Sequence, residues 1–216
     1  MDPISDLISR YSALEVCKND LVLAYKLIAE VIENKKNLFI CGNGGSASDA
    51  DHIVGELVKG FENPRPLDPK LSKKLTDKDP DLGKVLVDGL QQGLPAIALY
   101  GNHATASAVS NDNQAQLIYA QQLQAIGKPG DVLLAISTSG NSPNILYALY
   151  LAQQLGIHTI GLTGKSGGKM KNYCEVCIYA PSSRTLQIQE YHLPLYHTIC
   201  LMLENHFFGE DPSPYY

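Results

Sequence analysis

The sequence predicts an α/β fold: a single doubly wound domain over residues 1–216, built on a five-stranded parallel sheet flanked by helices. Three observations predict it. Short apolar runs recur at 38–41, 95–100, 131–137, 157–163 and 176–181. Segments with apolar residues at helical spacing separate them. The runs show no polar alternation, the mark of strands covered on both faces. With 216 residues, 44% apolar and 18% charged, the chain can bury a real core.

In chain order, residues 3–33 read as two helices, the second carried by the periodic stretch LVLAYKLIAEVI. The strand at 38–41 ends in a glycine-rich turn, and a helix pattern follows over 46–60. Residues 61–93 mix prolines and charges (FENPRPLDPK, KLSKKLTDKDPDLGK). They read as an exposed insertion with one or two short helices. After the strand at 95–100 come helical stretches at 104–110 and 114–126, then the strand at 131–137, a helix at 143–155 and the strand at 157–163. A GKSGG turn leads to the last strand and a closing helix at 184–207, in which Pro194 should introduce a kink.

Composition limits the function. The net charge is −5 and the pI about 5.6, and no basic stripe runs through the chain, so no direct nucleic-acid partner is expected. The N-terminus lacks the pattern of a signal peptide, and no apolar stretch reaches about 18 residues, so no membrane span is expected. Five cysteines at irregular positions suit reduced thiols and a cytoplasmic setting. Cys174 and Cys177 sit in a stretch that alternates like a strand, which would place their side chains on opposite faces. The lysines of GKSGGK, His103 and His158 read as exposed, and His192 as a structural histidine.

Two loops carry chemistry. Asn43, Gly44, Gly45 and Ser46 leave the first strand and open a helix. Glycines let the backbone approach a ligand closely, and free N–H groups at a helix start favour an anion. The loop is neither a dinucleotide fingerprint nor a Walker A loop. The second loop, Ser137-Thr138-Ser139-Gly140-Asn141-Ser142-Pro143, also joins a strand to a helix, with proline where the first turn tolerates it. A helix cap needs one hydroxyl. The four hydroxyls of Ser137, Thr138, Ser139 and Ser142 read as a neutral phosphate cradle.

GNGGS followed by ISTSGNS at this spacing resembles the SIS (sugar isomerase) domain family, whose members bind phosphosugars. The likeness runs from about residue 10 to the end, interrupted at 61–93. Within the family the chain looks like the phosphoheptose isomerases, which interconvert sedoheptulose 7-phosphate and glycero-manno-heptose 7-phosphate.

The likeness to the isomerases rests on four further positions. His52 and Glu56 lie at i and i+4 and share a helix face. On spacing alone, a solvated face is the plainer reading of such a pair. Gln189 and His197 lie eight residues apart on the closing helix, a little over two turns. The family pattern H-x-x-x-E stands here as His52 to Glu56, and I-Q-E-x-H followed by histidine as Ile188 to His192, then His197. The resemblance implies that His52, Glu56, Gln189 and His197 hold Zn²⁺ or another divalent metal, one per subunit. It also implies Glu56 as the base and His197 as its acid/base partner in an aldose–ketose isomerisation through an enediol(ate), with the metal polarising substrate oxygens. A residue bound tightly to metal is a poor base, so Glu56 would exchange roles during the cycle. Asp112 matches an Asn-Asp pair of the family near the substrate, and it reads equally as a turn residue at a helix end. In the family the N-terminal helices build a homotetramer with sites at subunit junctions.

Two features depart from the pattern. The insertion at 61–93 is longer than in the typical isomerases. Leu186 stands where the family often carries an aspartate. Two other readings keep the fold but not the reaction. One is a non-catalytic SIS adaptor that binds the bacterial replication initiator protein, to which YAQQLQAIGKPGDVLLAIS is also similar. The other is a phosphosugar-sensing module. Adaptors tend to lose the Glu and final His positions, which Glu56 and His197 fill here.

Overall fold

The five apolar runs form one parallel sheet in a computed structural model that describes residues 2–99 and 103–209. The strands are β1 (Leu38–Gly42), β2 (Ala96–Ala98), β3 (Val132–Ser137), β4 (His158–Gly164) and β5 (Val176–Ala180), in the order β2-β1-β3-β4-β5. Tyr100, the end of the second expected strand, lies outside the described residues. Successive crossovers run in opposite directions from β1, so the chain reverses between β1 and β3. In open α/β sheets this switch point, at the strands' carboxyl ends, is where ligands bind. Both glycine- and serine-rich loops leave the sheet there. The register pairs Gly42 with Ile136, and Ser137 with Thr163.

Alternate residues of β1 and β3 feed two cores, which explains why those runs read as continuously apolar. Leu38, Ile40, Val132, Leu134, Ile136, Ile160 and Ile178 face one core. That core is closed by α1 (Pro3–Arg10), α2 (Lys18–Glu33), α3 (Gly45–Val58) and α9 (Thr185–Phe208). Phe39, Cys41, Leu133 and Ala135 face the other. There they meet α7 (Ile118–Ile126) and α8 (Pro143–Gln154), with α6 (His103–Asp112) packed on α7. Pro194 sits inside α9 without ending it. Among the described residues no helix is long and apolar enough to cross a membrane.

Residues 61–93 hold two short helices, α4 (Pro69–Lys78) and α5 (Pro80–Gly89). Each starts with a proline behind a capping aspartate: Asp68 accepts from the amides of Lys70 and Leu71, Asp79 from those of Asp81 and Leu82. Both helices are largely exposed, but the chain leading into them is not. Arg65 is 1% exposed and forms an ion pair of 2.7 Å with the buried Glu204 of α9. Glu204 also accepts the amides of Phe61, Glu62 and Asn63. These bonds hold its carboxylate below the usual range against the opposing effect of burial. Arg65 donates onward to the carbonyls of Leu57 and Glu56 at the end of α3. The charged composition that marks the segment as solvated conceals this anchor.

A second correction concerns Cys174 and Cys177. Cys174 lies before β5, and Glu175 interrupts the alternation by donating its amide to Thr159. Both sulfurs therefore face Gly161, 2.8 and 3.1 Å from where a Cβ on that residue would sit. Contact with Cys177, then burial, push the Cys174 thiol up, and contact with Cys174 pulls Cys177 down.

Candidate functional site

The two loops enclose a cavity of about 240 Å³ lined by Asn43, Gly44, Gly45, Ser46, Ser137, Thr138, Ser142, Thr185 and Gln189, with Ile136 at its base. Gly44 caps α3 with φ 57°, a conformation that favours glycine, and brings no side chain to the helix end. The Ser142 hydroxyl makes no capping bond to α8 and lies 3.4 Å from that of Ser137. Two helix N-termini and several hydroxyls thus face one polar space, a setting for a phosphate or other anion.

Both loops are held from behind. The carboxamides of Asn43 and Asn144 bond each other reciprocally, at 3.0 and 2.8 Å, tying the first loop to the first turn of α8. The buried Tyr119 hydroxyl donates to the Gly42 carbonyl. Gly140, at φ 64°, presses against the Gly167 carbonyl, leaving no room for a Cβ. Its own carbonyl accepts the Met170 amide at 2.9 Å. The GKSGGK turn is therefore a buttress for the second loop. Ser139 faces away from the first cavity into a neighbouring one of about 250 Å³, together with Lys165, Ser166, Ser183 and Thr185. On the other side of Asn43, His103 and Asp51 line a hollow of about 380 Å³. Among the described residues, a larger hollow of about 510 Å³ near β2 and α7 is lined by no titratable side chain.

The second constellation lies further along α3 and α9, which pack against each other. His52 Nε2 is 3.1 Å from Glu56 Oε1, and Lys59 Nζ is 3.1 Å from Glu56 Oε2. The His52 and His197 rings meet edge to face, 4.9 Å between centroids. Phe61, from the chain leading into α4, covers His197 at 5.2 Å. His197 Nε2 is buried without a hydrogen-bond partner among the described residues. Burial, then the neighbouring His52, lower its pKa and favour the neutral imidazole. Tyr196 reaches across to His52 Nδ1 at 2.9 Å and Asp49 Oδ1 at 3.3 Å. An orphaned imidazole nitrogen beside a second imidazole and a carboxylate suits a divalent cation in its donor chemistry. As they stand, no group of three or more His, Cys, Asp or Glu among the described residues is arranged to hold a metal ion.

The sequence-predicted residues thus separate. His52, Glu56 and His197 come together. Gln189 goes to the loop cavity, its amide nitrogen 2.8 Å from where a Cβ on Gly45 would sit. Asn43, Gly44, Gly45, Ser46, Ser137, Thr138 and Ser142 share that cavity. Asp112 is exposed at the end of α6 with Asn111 as its partner, and it lines none of these cavities. His192 is fully buried, with Nε2 3.3 Å from the Thr163 carbonyl. Burial lowers its pKa to about 4. Tyr119, Asn144 and Tyr196 were not singled out from the sequence. They act on residues 76, 101 and 144 positions away, and no local pattern marks them.

The chain matches the SIS domain over residues 3–81 and 86–164. It is 36% identical to the phosphoheptose isomerase of Aliarcobacter butzleri over 192 residues, covering 89% of this chain and 88% of that one. It is 39% identical to that of Clostridium acetobutylicum over 190 residues, covering 88% and 80%. Among solved structures, the phosphoheptose isomerase from Francisella tularensis superposes with a TM-score of 0.75 at 30% identity, covering 93% of both chains. The one from Neisseria gonorrhoeae gives 0.72 at 30%, covering 94% and 95%. The chain belongs to the SIS domain family, on the branch of the phosphoheptose isomerases.

Proposed function

We propose that the protein is a phosphosugar aldose–ketose isomerase acting on sedoheptulose 7-phosphate. The observation that carries this reading is the placement of two groups along one helix pair. The hydroxyl-lined cavity sits at the start of α3, and the His52–Glu56–His197 cluster follows along the same helix. Ser46 and His52 are about 9 Å apart along it, within reach of an extended sugar phosphate. The phosphate would rest on Ser137, Thr138 and Ser142 and the helix N-termini. Asn43, Ser46 and Gln189 would hold the sugar chain, and its first two carbons would reach the cluster.

Isomerisation moves one proton from C1 to C2 and another from O1 to O2. Glu56 would take the C1 proton, so that the C–H pair becomes the C1–C2 double bond and the carbonyl pair moves onto O2. His197, kept neutral, would carry the proton between the oxygens. Glu56 would then give a proton to C2, its carboxyl proton having exchanged with solvent in the meantime. His52, Glu56 and His197 would hold a divalent metal such as Zn²⁺, which would stabilise the negative charge on the two oxygens; Gln189 would join them only by turning out of the loop cavity. For Glu56 to serve as base, its contacts with His52 and Lys59 must loosen. Exposed apolar side chains such as Val16 and Leu23 support a homotetramer with sites at subunit junctions, which light scattering would test. Five unpaired cysteines suit a cytoplasmic setting.

The test is to incubate the protein with sedoheptulose 7-phosphate and follow the aldose by NMR, before and after chelation and with zinc restored. Aldose that depends on metal supports the reading. Phosphosugar binding without turnover would overturn it in favour of a sensing module. The absence of both would favour an adaptor for the replication initiator.

A further inference from the structure

Three of the five cysteines are sealed in the cores. Cys17, Cys41 and Cys200 are at most 1% exposed, and burial raises their pKa, so they stay thiols. Cys174 and Cys177 are placed differently. Cys174 is half-buried and Cys177 is 9% exposed. The bond from the Glu175 amide to Thr159 turns the chain between them. Both sulfurs come to one point, 2.8 and 3.1 Å from where a Cβ on Gly161 would sit, so glycine leaves open the space that they share. Contact with Cys174 lowers the Cys177 pKa against the effect of burial; Tyr179 and Lys171 lower it further, and Asp20 opposes them. Thiolate character therefore gathers on Cys177, with a protonated thiol beside it.

The pair borders the support of the second loop on two sides. Cys174 directly follows the helical turn Met170–Tyr173. The Met170 amide bonds the Gly140 carbonyl, and the Met170 side chain ends 3.1 Å from the same point beside Gly161. Two residues past Cys177, the Tyr179 ring lies 2.6 Å from where a Cβ on Gly167 would sit, and the Gly167 carbonyl packs on Gly140. We propose that Cys174 and Cys177 are a peroxide-oxidised pair that closes to a disulfide beneath the turn holding the second loop. The Cys177 thiolate attacks one oxygen of hydrogen peroxide. The O–O bond breaks, hydroxide leaves and takes up a proton as water, and Cys177 becomes a sulfenic acid. The Cys174 sulfur then attacks the Cys177 sulfur. The S–O bond breaks, and the oxygen leaves as water with the Cys174 proton. The two thiols lose two electrons, which peroxide gains, and a thiol reductant reverses the change. Closing the bond draws residue 174 toward β5, and with it the turn that carries Met170.

The test treats the folded protein with hydrogen peroxide, alkylates the remaining thiols and reads the peptides by mass spectrometry. The expected result is a link between Cys174 and Cys177, reversed by dithiothreitol, with Cys17, Cys41 and Cys200 still thiols. Cys174→Ser should stop at a sulfenic acid on Cys177, which dimedone traps. Cys177→Ser should consume peroxide about 10-fold more slowly, the effect of one pKa unit on the thiolate fraction. Amide ¹H–¹⁵N spectra read the coupling without any ligand: Gly140 and Met170 should shift on oxidation and return on reduction. Calorimetry should find sedoheptulose 7-phosphate bound about five- to tenfold more weakly by the oxidised protein. Free thiols after peroxide, oxidation of Cys174 undiminished in Cys177→Ser, or a disulfide that leaves both amides or the affinity unchanged would overturn the proposal. A reduced protein that binds no sugar phosphate, while the disulfide forms and the amides move, would overturn the proposed substrate and leave the thiol pair standing.

Discussion

The loop cavity and the histidine cluster occupy two levels of the same helix pair, and they are made differently. The cavity is built from short stretches of sequence, with glycines, hydroxyls and helix N-termini supplied within a few residues of each strand end. Its long-range bonds, such as Asn43 to Asn144, act from behind. The cluster has no local origin beyond the His52–Glu56 pair. His197 and Tyr196 reach it only because α9 packs on α3 in one register, and Arg65 and Glu204 pin the far end of that pair. A site made of backbone should tolerate substitution of one hydroxyl. A site made of register should depend on single side chains.

The comparison can be broken at several points. Glu56→Gln should have the largest effect, with turnover falling about 10²- to 10⁴-fold while calorimetry finds sugar phosphate bound as in the wild type. Equal loss of binding would mean that the cavity and the cluster are one unit. Arg65→Met leaves Glu204 charged and buried, and should lower stability in urea by about 3–5 kcal/mol. A loss under 1 kcal/mol would show that the anchor does not set the register.

His192 separates the packing of α9 from its chemistry. Its folded pKa is about 4, against about 6.5 in the unfolded chain. The unfolded state therefore binds the extra proton between these values. Stability should be full above pH 6.5 and fall by about 3 kcal/mol as the pH drops to 4. His192→Gln should flatten that acid limb, and an unchanged limb would assign it to other groups. Ser142→Ala should have the smallest effect, weakening sugar phosphate binding about fivefold with no change in zinc affinity.

The same contrast explains what the sequence revealed. The strands were legible because the central ones, β1, β3 and β4, are covered on both faces, and the loops because glycine and hydroxyl content reports local backbone directly. Arg65 was hidden, because a charged residue among charges reads as solvated until its partner 139 positions away is known. Tyr196 was hidden among apolar neighbours, where an aromatic residue reads as core. The strand reading of Cys174 failed because the break at Glu175 comes from a bond to another strand, to Thr159. The expected pairing of Gln189 with His197 followed helix spacing correctly, yet spacing cannot say which neighbour each side chain meets.

The central claim is that the cluster moves a carbon-bound proton while the cavity holds the phosphate. The most direct measurement is solvent exchange into sedoheptulose 7-phosphate in D₂O, followed by NMR beside a binding titration. The account predicts deuterium at C1 of the recovered ketose with the wild type, and ketose bound but unlabelled with Glu56→Gln. Aldose formed without any solvent deuterium, or a Glu56→Gln protein that labels C1 at the wild-type rate, would contradict it.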